Sequence, residues 1–421
     1  RGTTPIYPYV GKPGWNLTTA MADEAIAHIK MLNQTEPDKP FFVYYVPGGT
    51  HAPHHPTPEW AEKFKGKFSM GWNALRDQIF ANQKKLGVIP QDAKLTPWPD
   101  ELKQWDTLAA DEKKMFERQV EVYAAYLAYT DYEIGRVIQA IEDMGKFDNT
   151  LIIYIGGDNG GSPEGTTLGT PNEFASFNAV VVPVEEQLKW YDAWGSDQTF
   201  PHYAVGWAWA FDTPFTWTKQ VASNYGGTRN GLVVYWPKRI TRGGGLRPQF
   251  HHVIDVAPTV LEAAGIPEPR EVNGLVQHPI EGVSMVYTFD DAAAPSRHAT
   301  QYFEMFGNRA VYHDGWFAGT VHSEPWAFQP RHPLAEDVWE LYHVTDDFSL
   351  AHDLAAENPA ELKEMQQLFL AEAEKYHVLP LDDRKVERFD PTRAGRPDIM
   401  GSRTSLTVYE GMTGMMENAF I

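Results

Sequence analysis

Apolar positions along this chain follow two rhythms. Between about residues 18 and 32, small and apolar positions recur at helical spacing, and Lys39-Pro40 then opens the run Phe41-Phe42-Val43-Tyr44-Tyr45-Val46, which predicts a strand. From about Asp111 to Gly145, Phe116, Val120, Tyr123, Leu127, Ile134, Ile138 and Ile141 return every three, four or seven residues. That spacing predicts a long helix with one buried face. Leu151-Ile152-Ile153-Tyr154-Ile155 predicts the next strand, and Gly231-Leu232-Val233-Val234-Tyr235-Trp236 a further buried one. A helix feeding a short apolar strand twice over predicts an α/β fold: a mostly parallel or mixed central sheet flanked by helices. Asp255 is placed as the N-cap of a helix over Ala257–Ala264, which Gly265 ends.

From about residue 298 the rhythm shortens. The pieces Ala299–Phe303, Asn308–Tyr312, Trp316–Ala318 and Trp339–His343 read as short strands, followed by a helix over 358–376. This predicts a small C-terminal antiparallel sheet with a helix packed on it. The domain reading is therefore an α/β domain at 1–297, with insertions at about 57–110 and 161–220, and an α+β subdomain with a tail at 298–421. The second insertion is dense in Gly, Pro and Trp without a sustained period, as expected of loops walling a pocket.

Composition narrows the function classes. The chain has 421 residues and a formal net charge of −20, which argues against a nucleic-acid partner and gives no attraction to anionic membranes. An anionic substrate would need local positive charge in its site. The absence of cysteine excludes disulfides, thiolate metal sites and a cysteine nucleophile within these residues. No apolar run is long enough to cross a bilayer, and no compartment follows. The opening, RGTTPIYPYVGKPGW, is a Pro/Gly-rich loop leading into a helix without methionine or a signal segment, so an N-terminal part is expected to be missing. Asn16 and Asn33 stand in N-x-T sequons.

Candidate chemistry concentrates at strand ends. Asp158 and Asn159 follow the strand 151–155 within Gly156-Gly157-Asp158-Asn159-Gly160-Gly161, where glycines let the chain turn and two adjacent oxygens can converge. Such oxygens suit calcium or magnesium, and an ordinary strand-to-loop turn uses the same residues. After the run 41–46 comes Pro47-Gly48-Gly49-Thr50-His51-Ala52-Pro53-His54-His55-Pro56, a rigid polar loop where such sheets present functional groups. His51 alone reads as a solvated loop histidine and Lys219 alone as a surface lysine. His54 and His55 are structural or line an entrance, and His202 and Asp212 receive no role.

Three ordered motifs change that reading: PFFVYYVPGGTHAPHHPTPEW, LIIYIGGDNGGSPEG and TPFTWTKQVASNYGGTRNGLVVYWPKRI. Together with the tail around WELYHVTDDFSLAHDLA, they make the chain resemble the type I sulfatases, the arylsulfatase branch of the alkaline phosphatase superfamily, over nearly its whole length. The resemblance implies hydrolysis of a small-molecule sulfate ester. It implies Asp158 and Asn159 as ligands of a calcium or magnesium ion, His51 as the acid that protonates the leaving oxygen, and Lys219 as a contact to sulfate and leaving group. Arg229, in Gly226-Gly227-Thr228-Arg229, is expected to brace the turn. The family's nucleophile is a formylglycine made from Cys or Ser in a C/S-x-P-S-R motif, and it is expected in the missing N-terminal part, whose pairing with this chain would complete the sheet and the site. Ala293-Ala294-Pro295-Ser296-Arg297 imitates the motif's ending with alanine at the nucleophile position, and it follows the metal strand instead of preceding it. Two metal ligands are also too few for a tight calcium site. Two alternatives stand beside this reading: a phosphonate or phosphate ester hydrolase of the same superfamily, and a catalytically empty scaffold binding a carbohydrate or aromatic ligand through the Trp-rich loops 186–217.

Overall fold

The computed structural model describes residue 4, residues 6–327 and 332–385, and the backbone of two short strands at Met415–Met416 and Ala419–Phe420. The first helix, α1 (Leu17–Thr35), starts at Asn16, whose side-chain oxygen accepts from Thr18 N, satisfying a donor that has no partner inside the first turn. Helices α2 (Pro58–Phe64) and α3 (Gly71–Leu86) occupy the first expected insertion. The helix α4 (Ala110–Asp143) is the long amphipathic element read from the periodicity, and α1 and α2 lie along it.

Beyond α4 come β1 (Ile152–Ile155), the short helices α5 (Glu173–Phe177), α6 (Val184–Gln187), α7 (Val205–Phe211) and α8 (Tyr225–Thr228), then β2 (Leu232–Tyr235) and α9 (Val256–Ala264). The class is α/β as expected, but two details differ. The pair β1–β2 is antiparallel, with Ile153 opposite Val234, so the parallel pairing expected from the repeated helix-strand order is not formed among the described residues. The segment 41–46 joins no ladder among the described residues. Alternate residues Phe41, Val43 and Tyr45 pack on the α1–α4 cluster, whereas Phe42 and Tyr44 are 73% and 84% exposed. Period-two side-chain alternation is therefore kept without a strand neighbour. Leu232, Val233 and Tyr235, expected to be buried, are likewise exposed.

The main core lies elsewhere. Trp72 of α3, Phe116 of α4, Trp105 and Trp207 of α7 form one aromatic cluster in which Trp72 stacks on Phe116 at 5.6 Å and meets Trp207 edge-on. Both expected insertions thus build the core instead of merely walling a pocket. Trp194, Trp207 and Trp209 are buried, which removes from the surface most of the aromatic stretch on which the scaffold alternative relies. Asp255 precedes α9, but its side chain makes no cap. It accepts from His252 N and Val283 N instead.

After a small hairpin, β3 (Glu271–Val272) and β4 (Leu275–Val276), the C-terminal sheet runs β5 (Thr300–Met305), β6 (Asn308–His313), β7 (Trp316–Thr320) and β8 (Glu340–His343) in sequential antiparallel order, with α10 (Pro359–Lys375) packed on it. Alternation sorts its two faces. Val311, Ala318 and Leu341 are cross-strand partners that meet Met365, Phe369 and Ala373 of α10. Tyr312, Phe317 and Tyr342 point the other way, onto Phe215 and Tyr225.

Candidate functional site

The site is assembled where β1 leaves its pair. Gly160 N donates to Gly227 O at 3.1 Å, and a Cβ added to Gly160 would stand 1.5 Å from Gly226 O. The two glycine motifs therefore pack backbone against backbone, an approach that a side chain would block. From this contact the loop carrying Lys219 is positioned, because Lys219 N donates to Gly161 O at 3.0 Å. Trp217 and Gln220, flanking Lys219, hold positive φ values of 68° and 77°. Left-handed backbone at non-glycine residues persists only where surrounding structure over-determines it. Here Gln220 O accepts from the buried Asn308 Nδ2 of β6, and Gln220 Nε2 donates to Glu164 Oε1.

His51 and Lys219, 168 residues apart in sequence, are brought together: the Lys219 ammonium lies 3.3 Å from His51 Nε2. His51 Nδ1 sits 2.8 Å from Ala52 O, an acceptor only, so Nδ1 carries the proton and Nε2 offers its lone pair to the ammonium. Lys219 also donates to Glu164 Oε2 at 2.9 Å, and that oxygen lies 3.7 Å from His51 Nε2. Burial alone would push the Glu164 carboxyl up, but the neighbouring Lys219 charge outweighs it and holds the group below the usual carboxylate range. His51 is half exposed, whereas Lys219 and Glu164 are largely covered.

Behind this trio lies a buried layer. Ser162 Oγ contacts Glu164 Oε2 at 3.0 Å and His202 Nε2 at 2.8 Å. His202 Nδ1 donates to Tyr203 O, and burial lowers this imidazole to about 4, so it is neutral with Nε2 as acceptor. Glu173 Oε1 is buried without a hydrogen-bond partner among the described residues, 4.0 Å from His202 Nε2. Desolvation, reinforced by the Glu164 charge, raises its carboxyl to about 7.

Asp158 and Asn159 stand at the exit of β1, Asp158 exposed. Asn159 Nδ2 donates to Gly160 O at 2.9 Å, and a carboxylate and an amide oxygen on adjacent residues are of the chemistry a hard cation takes. This pair fits part of a calcium or magnesium shell. Six or more oxygens are the norm for calcium, so these two side chains alone would not complete such a shell. His54 is a core residue, stacked on Tyr203 at 5.2 Å, and burial keeps it neutral. His55 Nε2 contacts Thr199 O at 2.8 Å. Arg229 lies over the Phe348 ring at 4.1 Å and donates to Phe348 O, bracing the turn against the C-terminal unit. Asp212 accepts from Gly161 N and is pushed well up by burial.

The sequence reading passed over Ser162, Glu164 and Glu173 and gave His202 no role. Ser162 and Glu164 stand within the LIIYIGGDNGGSPEG motif, so their nearness to Asp158 was the available signal. Glu173 follows Asn172 at a helix start and carries no sequence mark. Chemically the assembly offers a lone pair or proton at His51 Nε2, a fixed ammonium and a strand end able to hold a cation. That is a donor set for an ester of a strong oxyacid.

Comparisons with known proteins point to one family. The chain is 29% identical over 372 residues to an uncharacterized sulfatase of Schizosaccharomyces pombe (strain 972 / ATCC 24843), covering 84% of this chain and 62% of that protein. It is 29% identical over 280 residues to an arylsulfatase of Klebsiella aerogenes, covering 66% of this chain and 56% of that enzyme. The chain thus spans about three-fifths of the length of these relatives. A solved protein in complex with its substrate D-glucosamine-2-N,6-O-disulfate shares the fold at a TM-score of 0.50 and 18% identity, covering 88% of this chain and 72% of that one. The family model described as Sulfatase matches residues 3–266, and the chain belongs to the sulfatase family.

Proposed function

We propose that this chain carries the leaving-group half of a sulfate-ester hydrolase. His51 acts as general acid, Lys219 binds the sulfuryl and bridging oxygens, and Asp158 with Asn159 holds calcium or magnesium. The observation that carries the reading is the 3.3 Å approach of Lys219 Nζ to His51 Nε2, on a loop hydrogen-bonded to the Asp-Asn strand end at Gly161. Cleavage of a sulfate ester builds negative charge on the bridging oxygen, so an ammonium and a proton donor must converge there. Glu164 pairs with Lys219 and faces His51, so it stabilises the imidazolium that serves as donor. A bound sulfate competes with Glu164 for the same ammonium, exchanging one anionic oxygen for another. A metal ion on Asp158 and Asn159 would supply charge neutralisation to the sulfuryl oxygens. The formylglycine expected from the resemblance has no precursor motif within these 421 residues, and we assign it to polypeptide outside them.

The test starts from native protein, with intact mass and N-terminal sequencing, followed by aryl sulfate and aryl phosphonate assays side by side. Lys219→Ala and His51→Ala are each expected to lower aryl sulfate turnover by about 10²–10⁴-fold. Unchanged turnover in both variants, or preference for the phosphonate, would overturn the assignment.

A further inference from the structure

His51, Glu164 and Glu173 each present one ligand atom, and the three atoms lie within 4.8 Å of one another. An acidic cluster alone says little, but two independent features point to a cation. Glu173 Oε1 is buried, belongs to a residue only 3% exposed, and has no hydrogen-bond partner among the described residues. An orphaned buried carboxyl oxygen is costly and calls for a partner. The Lys219 ammonium already stands at 2.9 Å from Glu164 Oε2 and 3.3 Å from His51 Nε2, marking a cation position between two of the three ligands while leaving Glu173 unserved. His51 is prepared as a ligand, because its Nδ1–H is held by Ala52 O, the arrangement by which metal-binding imidazoles are oriented.

We propose that His51 Nε2, Glu164 and Glu173 form a second cation site, for a first-row transition ion such as Zn2+, whose occupancy displaces Lys219 and silences the hydrolytic site. An imidazole with two carboxylates selects zinc-like ions, unlike the all-oxygen Asp158–Asn159 pair, which suits calcium or magnesium. Bonds of about 2.1 Å in a tetrahedral site put ligand atoms about 3.4 Å apart. The His51–Glu164 edge, at 3.7 Å, is already near that spacing, so only Glu173 has to close in. Ser162 and Gln220, bonded to the Glu164 oxygens, hold that ligand in place. A divalent ion there takes the His51 lone pair and repels the Lys219 ammonium. Both groups proposed to act on the leaving oxygen are then lost together. The silencing rests on the functional reading above; the binding does not.

Co2+ titration of the 421-residue chain in excess Mg2+, followed by visible absorption and by Zn2+ competition, tests the site directly. One Co2+ per chain is expected, with affinity lowered about tenfold or more in His51→Gln and in Glu173→Gln. Asp158→Asn should bind as the parent does, and Lys219→Met should bind more tightly because the competing ammonium is gone. His51 is half exposed, so His51→Gln remains informative even if Glu173→Gln fails to fold. Binding unaffected by His51→Gln, or weakened by Lys219→Met, overturns the proposal. Zn2+ that binds there without reducing aryl sulfate turnover overturns the silencing. A chain that binds Co2+ as expected but hydrolyses no sulfate ester in its native form keeps the site and loses the hydrolase reading.

Discussion

Ser162 has one hydroxyl proton and faces two acceptors, Glu164 Oε2 and His202 Nε2. The neighbouring Glu173 carries a carboxyl whose protonation changes on folding. Its carboxyl is raised from 4.5 to about 7 by burial and by the Glu164 charge. Below about pH 4.5 both folded and unfolded forms bind the proton. Between about 4.5 and 7 only the folded form keeps it, so stability falls as pH rises, by at most about 1.4 kcal/mol per pH unit for one proton. Glu173→Gln removes this dependence. Its urea midpoint relative to the parent should rise between pH 5 and pH 8. Parallel curves for the two proteins would show that Glu173 does not titrate as described.

Among the elements, the contact of β1's exit with α8 sets where Lys219 stands. Gly160→Ala would drive a methyl group into Gly226 O, a backbone atom that cannot rotate away. Gly160→Ala is therefore expected to cost about 2–4 kcal/mol by chemical denaturation, whereas Gly231→Ala, with open space around its Cβ position, should cost far less. Equal losses at the two positions would remove the packing explanation for the glycine motif. Among the long helices α3 went unread inside the expected insertion, but α1, α4 and α10 and the C-terminal meander were legible in the sequence, because a 3.6 or 2.0 period states which face is buried. The short helices α5 to α8 were not. Their one or two turns carry too few positions for a period, and their stability comes from aromatic packing across distant segments, as Trp207 does with Trp72 and Trp105. His51, Lys219, Asp158 and Asn159 could be chosen from ordered motifs. Glu164 had only its place in the Asp158 motif to mark it, and Glu173, at the start of a short helix, becomes visible only through its proximity to the other residues in the fold.

The whole molecule is tied together by contacts that cross residue 297, the boundary drawn from sequence texture. Tyr312 and Phe317 of the C-terminal sheet share a cluster with Phe215 and Tyr225. His298 Nδ1 lies 2.9 Å from the buried Asp255. Burial would push the Asp255 carboxyl up, but bonds from His251 and His298 outweigh it and hold the group far below its usual range. Burial would equally lower His298, yet the Asp255 carboxylate keeps it raised. The C-terminal unit thus buttresses the Lys219 loop through Asn308 and is fastened to the rest by the buried contact of His298 with Asp255. Elsewhere the segment 41–46, with Phe42, Tyr44 and Val46 bare, and the two-stranded ladder, with Val233 bare, present backbone and apolar side chains that another chain can template on. In colloidal terms this 421-residue polypeptide should be sticky despite its charge of −20. Light scattering should rise with protein concentration and fall when Phe42→Lys and Tyr44→Lys place gatekeeper charges on that bare segment.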